Sequence, residues 1–119
     1  MSEKIPSGDI ANAMGLTQDQ LFELIGNEES LGANIRSDDP KKLIELGMAW
    51  WTKKESELRP VICHSGVVRR LAEGPTLDIA QAIYAAIFPE LGVELAIYAS
   101  ALIAKSGISN WCDVIWHER

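Results

Sequence analysis

An all-α fold follows from three features of the sequence. Two apolar runs of helical length, 77–88 and 93–104, stand side by side in the C-terminal half, joined by Pro89-Glu90-Leu91-Gly92. Outside Pro60-Val61-Ile62, no segment reads as a strand. Capping residues, prolines and glycines divide the remaining chain into pieces of helical length. The expected architecture is a compact bundle of about six helices around the C-terminal hairpin. It forms one domain over residues 1–119, with 1–7 as a flexible arm. A chain of this length can bury a core of its own.

The hairpin is the expected centre. Asp78 and Gln81 are the strongly polar residues of its first run, Glu94 and Ser100 those of its second. Helices so apolar all round are buried on most sides. Thr76 is the expected N-cap of the first run, Pro89 its stop, and Gly92 the reversal. Lys105-Ser106-Gly107 ends the second run, a cation in the last turn followed by a glycine. Ala82 and Ala86, and Ala96, Ser100 and Ala104, recur at a spacing that lets helices approach closely. Each run falls well short of the ~20 residues that span a bilayer, so no membrane insertion is expected.

Before the hairpin, two short helices are expected over 9–14 and 18–25, the second opened by a Thr17/Gln20 capping box. Residues 26–37, rich in Gly, Asn and Ser, read as a loop. Asp38-Asp39-Pro40 then caps a long helix over 41–58. Leu43, Ile44, Met48, Trp50, Trp51 and Leu58 form its apolar face, and Gly47 leaves room for a close neighbour. Pro60 is the expected end of that helix. Residues 61–73 read best as a further helix with Val61, His64, Val68, Leu71 and Ala72 on one face. Ser109 is the expected cap of a last helix, 108–116, whose apolar side is Trp111, Cys112, Ile115 and Trp116.

Charge and cysteine content narrow the function. The net charge is −6, and no basic run exceeds two residues, so nucleic acid is an unfavoured partner. Acidic residues concentrate early, with Asp19, Glu23, Glu28, Glu29, Asp38 and Asp39 set against Arg36 alone. Such a patch reads first as a solvated face and second as a surface for a basic partner. Two cysteines are too few for a disulfide framework, and the N-terminal residues show no apolar signal segment. Free thiols and a cytoplasmic location are therefore expected.

Three local patterns carry candidate chemistry. Ala11, Gly15, Leu16, Thr17, Leu21 and Leu24 are spaced as in the helix-turn-helix of prokaryotic regulators, which this stretch resembles. The resemblance implies duplex-DNA binding with Gln18 and Gln20 reading bases, but Asp19 and Glu23 would then face phosphates. Cys63-His64-Ser65-Gly66-Val67-Val68-Arg69 resembles the phosphate-binding loop of cysteine-dependent phosphatases, and more loosely the active loop of rhodanese-like sulfurtransferases. That resemblance implies a Cys63 thiolate nucleophile and an Arg69 anion clamp on a strand–loop–helix frame. Cys63, His64, Cys112 and His117 could be imagined as a zinc set, but their spacing matches no common zinc site.

None of these patterns outweighs ordinary packing, so no catalytic residue, metal, cofactor or small-molecule substrate is assigned. The expected function is a non-enzymatic helical interaction module, an adaptor or a self-associating protein. Its expected contacts are Trp50 and Trp51, where an indole pair cannot be wholly core, together with Asp19, Glu23, Glu28 and Glu29. Small helical bundles, death-like domains among them, commonly act this way. That is an analogy of fold class and not of residues.

Overall fold

In a computed structural model, which describes residues 5–32 and 39–117, the chain is all-helical. Eight helices are present among the described residues: α1 (Ser7–Met14), α2 (Gln18–Gly32), α3 (Pro40–Cys63), α4 (Gly66–Leu71), α5 (Thr76–Leu91), α6 (Val93–Ser106), α7 (Ile108–Trp111) and α8 (Asp113–Trp116). No strand occurs among them. No helix there is long and apolar enough to cross a membrane.

The expected central hairpin is formed by α5 and α6, of which α6 is the more completely buried. Ala96, Ile97 and every residue from Ala99 to Ala104 are buried, and the helix packs against α1, α2, α5 and α7. Ser100, fully buried, donates its hydroxyl to the Ile97 carbonyl at 2.9 Å, and the buried Ser30 hydroxyl likewise donates to the Asn27 carbonyl, so neither carries an unmet hydrogen bond. On α5, Ile79, Ala80, Ile83, Tyr84 and Ile87 are buried. The turn between α5 and α6 shrinks to Gly92 alone, whose φ of 83° lies in the left-handed region that favours glycine. Pro89 therefore does not stop α5, and Thr76 is its first residue and not its cap.

Pro60 likewise sits inside α3, which runs on to Cys63. The reason is common to both prolines. Each ring is on the solvent side, and the carbonyl four residues back belongs to an exposed residue, Ser56 or Ala85, where water can replace the lost amide. Burial of Leu58, Ile62 and Cys63 then carries α3 through the interruption. Asp39 caps α3 as expected, accepting from the Lys41 amide at 3.1 Å, with Pro40 in the first turn. Asp38 and Arg36 lie outside the described residues, as do 1–4 of the expected arm.

The largest departure from expectation is in α2, which continues through Gly26 and Asn27 to Gly32 where a loop is read from the sequence. Packing overrides local propensity here. A Cβ on Gly26 would stand 1.8 Å from the Leu43 carbonyl oxygen, and one on Gly47 would stand 1.9 Å from the Phe22 carbonyl oxygen. The two antiparallel helices thus touch backbone to backbone through reciprocal glycines. Met48, one residue past this contact, turns outward and is 49% exposed, so it leaves the apolar face expected for it.

The 61–73 segment is not one helix. His64 and Ser65 form a turn, and the Ser65 hydroxyl caps α4 by accepting from the Val68 amide at 3.3 Å. The terminal helix is also divided, into α7 and α8 at Cys112, with Gly107 in the cap position expected for Ser109. Cys112 is bonded to Cys63, with their α-carbons 5.5 Å apart, so the expected free thiols are corrected to a disulfide. Closing a loop over a sequence separation of 49 stabilises the fold by about 4 kcal/mol in the chain-entropy picture.

The glycine crossing yields a direct test. Gly47→Ala is expected to destabilise the protein by about 2–3 kcal/mol, as overpacking against backbone cannot be relieved by a rotamer change. Gly8→Ala, where an added Cβ meets nothing within 4 Å, is expected to be neutral or to stabilise by up to about 1 kcal/mol. Urea unfolding of both variants checks the contrast. Equal effects at the two sites would contradict the crossing.

Candidate functional site

The helix pair with regulator-like spacing exists, and its capping box forms as expected. The Thr17 amide donates to Gln20 Oε1 at 2.8 Å, and the Gln20 amide donates to Thr17 Oγ1 at 3.1 Å. The tertiary arrangement differs from the resemblance. Ala11 is exposed, and α1 packs on α6 and α5 instead of nesting against α2. The α1–α2 turn is tied to α6, since the Lys105 ammonium donates to the Met14 carbonyl at 2.9 Å and also to the Leu16 carbonyl. Gln18, Asp19 and Gln20 are exposed at the start of α2, with no lysine or arginine among residues 5–32.

Cys63 and Arg69 are not arranged as the phosphatase-like resemblance implies. Cys63 is the last residue of α3, 2% exposed, and its sulfur is bonded to Cys112. No strand precedes it, and the Arg69 guanidinium lies over the Trp116 ring at 5.7 Å. The imagined zinc set is resolved by the same bond. His64 is exposed, and His117 faces Asp113 with Nδ1 to Oδ1 at 2.9 Å. Among the described residues, no group of three or more His, Cys, Asp or Glu side chains is placed to hold a metal ion.

The indole pair divides as expected for neighbours on one helix. Trp50 is buried, 8% exposed, and Trp51 is half-buried. Trp51 stacks between Trp50, at 6.3 Å, and Trp111, at 6.4 Å. Trp50 forms part of the wall of an open groove of 590 Å³ between α3 and the α5–α6 turn. Leu46, Ala49, Leu91 and Leu95 line it together with Glu29, Glu90, Lys53 and the Lys54–Glu57 ion pair of α3. Two of the expected contact residues, Trp50 and Glu29, thus share one groove. Asp19 and Glu23 do not line it.

A second groove, of 370 Å³, lies between α1 and α6. Its apolar floor is Ala13, Leu16, Val93 and Ile97, and its polar edge is Asp9, Asn12, Glu94 and Tyr98. Glu28 of α2 joins this charge cluster. Partial burial raises its carboxyl pKa above the ordinary value, and the Glu94 carboxylate raises it further. Burial likewise raises the Tyr98 phenol, with Glu28, Glu94 and Asp9 adding to the effect. The phenol therefore stays protonated well above neutral pH. Among the described residues, no salt bridge pairs Asp9, Glu28 or Glu94 with a cation.

Asp9, Glu94 and Tyr98 are not among the candidates that the sequence offers. Glu94 and Tyr98 stand one turn apart on α6, but Asp9 and Glu28 reach them only through the packing of α1 and α2 on that helix. No local spacing signals that convergence.

The sign of the Glu28 effect can be tested. A carboxyl whose pKa is raised on folding opposes folding once ionised, and that penalty sets in as pH rises from the unfolded value through the folded one. Glu28→Gln is expected to raise Tm at pH 7, by an amount equivalent to at most about 0.5 kcal/mol for a half-exposed group. The gain is expected to vanish below about pH 4. Thermal unfolding from pH 3 to 8 checks it, and a Tm loss at pH 7 would contradict the cluster.

Comparison with protein-family models, with curated proteins and with solved structures finds no match to this chain.

Proposed function

We propose that the chain is a non-enzymatic protein–protein interaction module that takes a basic, amphipathic segment of another protein into the groove between α1 and α6. The observation that supports this most directly is the placing of Asp9 and Glu94 on an apolar-floored groove, with Glu28 close enough to act on Glu94 and Tyr98 and no cation partner for the three among the described residues. The Glu94 carboxylate adds to the raised proton affinity of Glu28, and a bound Lys or Arg relieves that repulsion. Val93, 41% exposed, and Ile97 offer the apolar contact that such a segment's other face requires. Tyr98 adds a neutral hydroxyl that both donates and accepts.

The same charges disfavour self-association at this groove, because a second copy also carries −6. Duplex DNA fits less well, since the exposed start of α2 presents Asp19 between its glutamines. A cytoplasmic site of action loses the support of free thiols, because Cys63 and Cys112 are bonded to each other.

The test uses a synthetic amphipathic Lys/Leu helical peptide as probe. In ¹H–¹⁵N spectra, shifts are expected in α1 and α6 around Asp9, Glu94 and Tyr98, with affinity falling several-fold from about 0.05 to 0.3 M salt as screening shortens. Glu94→Lys is expected to weaken binding by at least about tenfold, the reversal of one close charge pair. Asp19→Asn is expected to change it little. Shifts spread evenly over the acidic surface, or equal losses in the two variants, would contradict the proposal.

A further inference from the structure

The last ten described residues lie at the edge of the core, with Ile108 and Cys112 inside it and Trp111, Ile115 and Trp116 packed against it. Of residues 108–117, only Ile108 and Cys112 are buried, while Val114 is 78% exposed and α8 contains no buried residue. α7 and α8 are four residues each, too short to persist as isolated helices. Gly107, with φ of 96°, joins them to α6 and is the natural pivot.

Beside the burial of Ile108 and the stacking of Trp111 on Trp51, four contacts by two indoles tie this segment to the rest. Trp111 Nε1 donates to Glu55 Oε1 at 3.0 Å, and the Arg59 guanidinium lies 4.9 Å over the Trp111 ring. Trp116 Nε1 donates to the Cys63 carbonyl at 2.7 Å, and the Arg69 guanidinium covers its ring. These are part-buried, solvent-adjacent contacts. The one covalent tie is the disulfide, which joins the end of α3 to the break between α7 and α8.

We propose that Cys63–Cys112 is a redox-operated latch: its two-electron reduction frees residues 108–117 to swing about Gly107 while α1–α6 stay folded. The chemistry is thiol–disulfide exchange with a dithiol. A thiolate of the reductant attacks one sulfur and forms a mixed disulfide, and the other cysteine leaves as a thiolate and takes up a proton. The second thiol of the reductant then displaces the first cysteine. The protein gains two thiols, and the reductant becomes a cyclic disulfide. Both sulfurs are buried, so attack follows fraying of α7–α8, a local opening of the kind that weakly packed ends undergo. Release uncovers the Cys63 thiol and the face of Trp51 on which Trp111 stacks. This inference is independent of the acidic groove, which lies on α1 and α6.

Hydrogen exchange read by mass spectrometry tests it on the full chain, oxidised and after treatment with dithiothreitol, with alkylation counting the thiols. Reduction is expected to speed exchange of residues 109–117 at least about tenfold and to leave α5 and α6 unchanged. The Trp51–Trp111 stacking signal in near-ultraviolet circular dichroism is expected to fall. The double variant Cys63→Ser, Cys112→Ser is expected to behave like the reduced protein without reductant. Unchanged protection of 109–117 in both reduced and double-variant protein would overturn the latch. Loss of protection throughout α5 and α6 would overturn it too, showing a staple of the whole core. So would thiols that alkylate before any reductant is added, or a bond that resists the dithiol under native conditions.

Discussion

The crossing of α2 over α3 is the constraint on which the rest of the molecule depends. Gly26 admits the Leu43 carbonyl and Gly47 admits the Phe22 carbonyl, so the two backbones meet with no side chain between them. Such an approach gains dispersion contacts and weak Cα–H···O bonds along the seam. It also sets the direction of both helices. With α2 pinned by Gly26, Glu28 lies on a different flank, where its carboxylate senses Glu94 of α6. With α3 pinned by Gly47, its later turns continue past the start of α2 and bring Leu58, Ile62 and Cys63 to the core.

Two regions of different character are built on that frame. One is electrostatic: helices from distant parts of the chain place Asp9, Glu28 and Glu94 around Tyr98, and the repulsion is tolerated because all are partly hydrated. The other is covalent and aromatic: the C-terminal segment closes on α3 through one disulfide and two indoles. Each is poorly optimised for stability taken alone. A carboxylate cluster costs stability at neutral pH, and the ten-residue tail, its disulfide apart, buries little beyond Ile108 and Cys112. Regions that depart from the best-packed arrangement are where function tends to reside.

How much of this was legible in the chain depends on the range of the interaction involved. Short-range signals read truly: the Thr17/Gln20 capping box, the Asp39-Pro40 start of α3 and the apolar hub at 93–104 all stand as expected. Proline stops did not, because at Pro60 and Pro89 burial on the far side of the helix outweighs one lost hydrogen bond. The glycine at 26 read as a loop because its reason, the Leu43 carbonyl, is 17 positions away. Cys63 and Cys112 read as separate thiols for the same cause, and so did the members of the acidic groove. The interaction class was inferred from Trp50, Trp51 and the early acidic residues. Of these, Glu28 lies near Glu94 beside the groove favoured here without lining it, while Trp50 and Glu29 line another.

The most direct measurement is of the crossing itself, by nuclear Overhauser effects in the folded protein. Strong cross-peaks are expected between the α-protons of Gly47 and the backbone of Phe22, and between those of Gly26 and Leu43. Their absence, with α-protons of either glycine contacting only water, would contradict the account at its base.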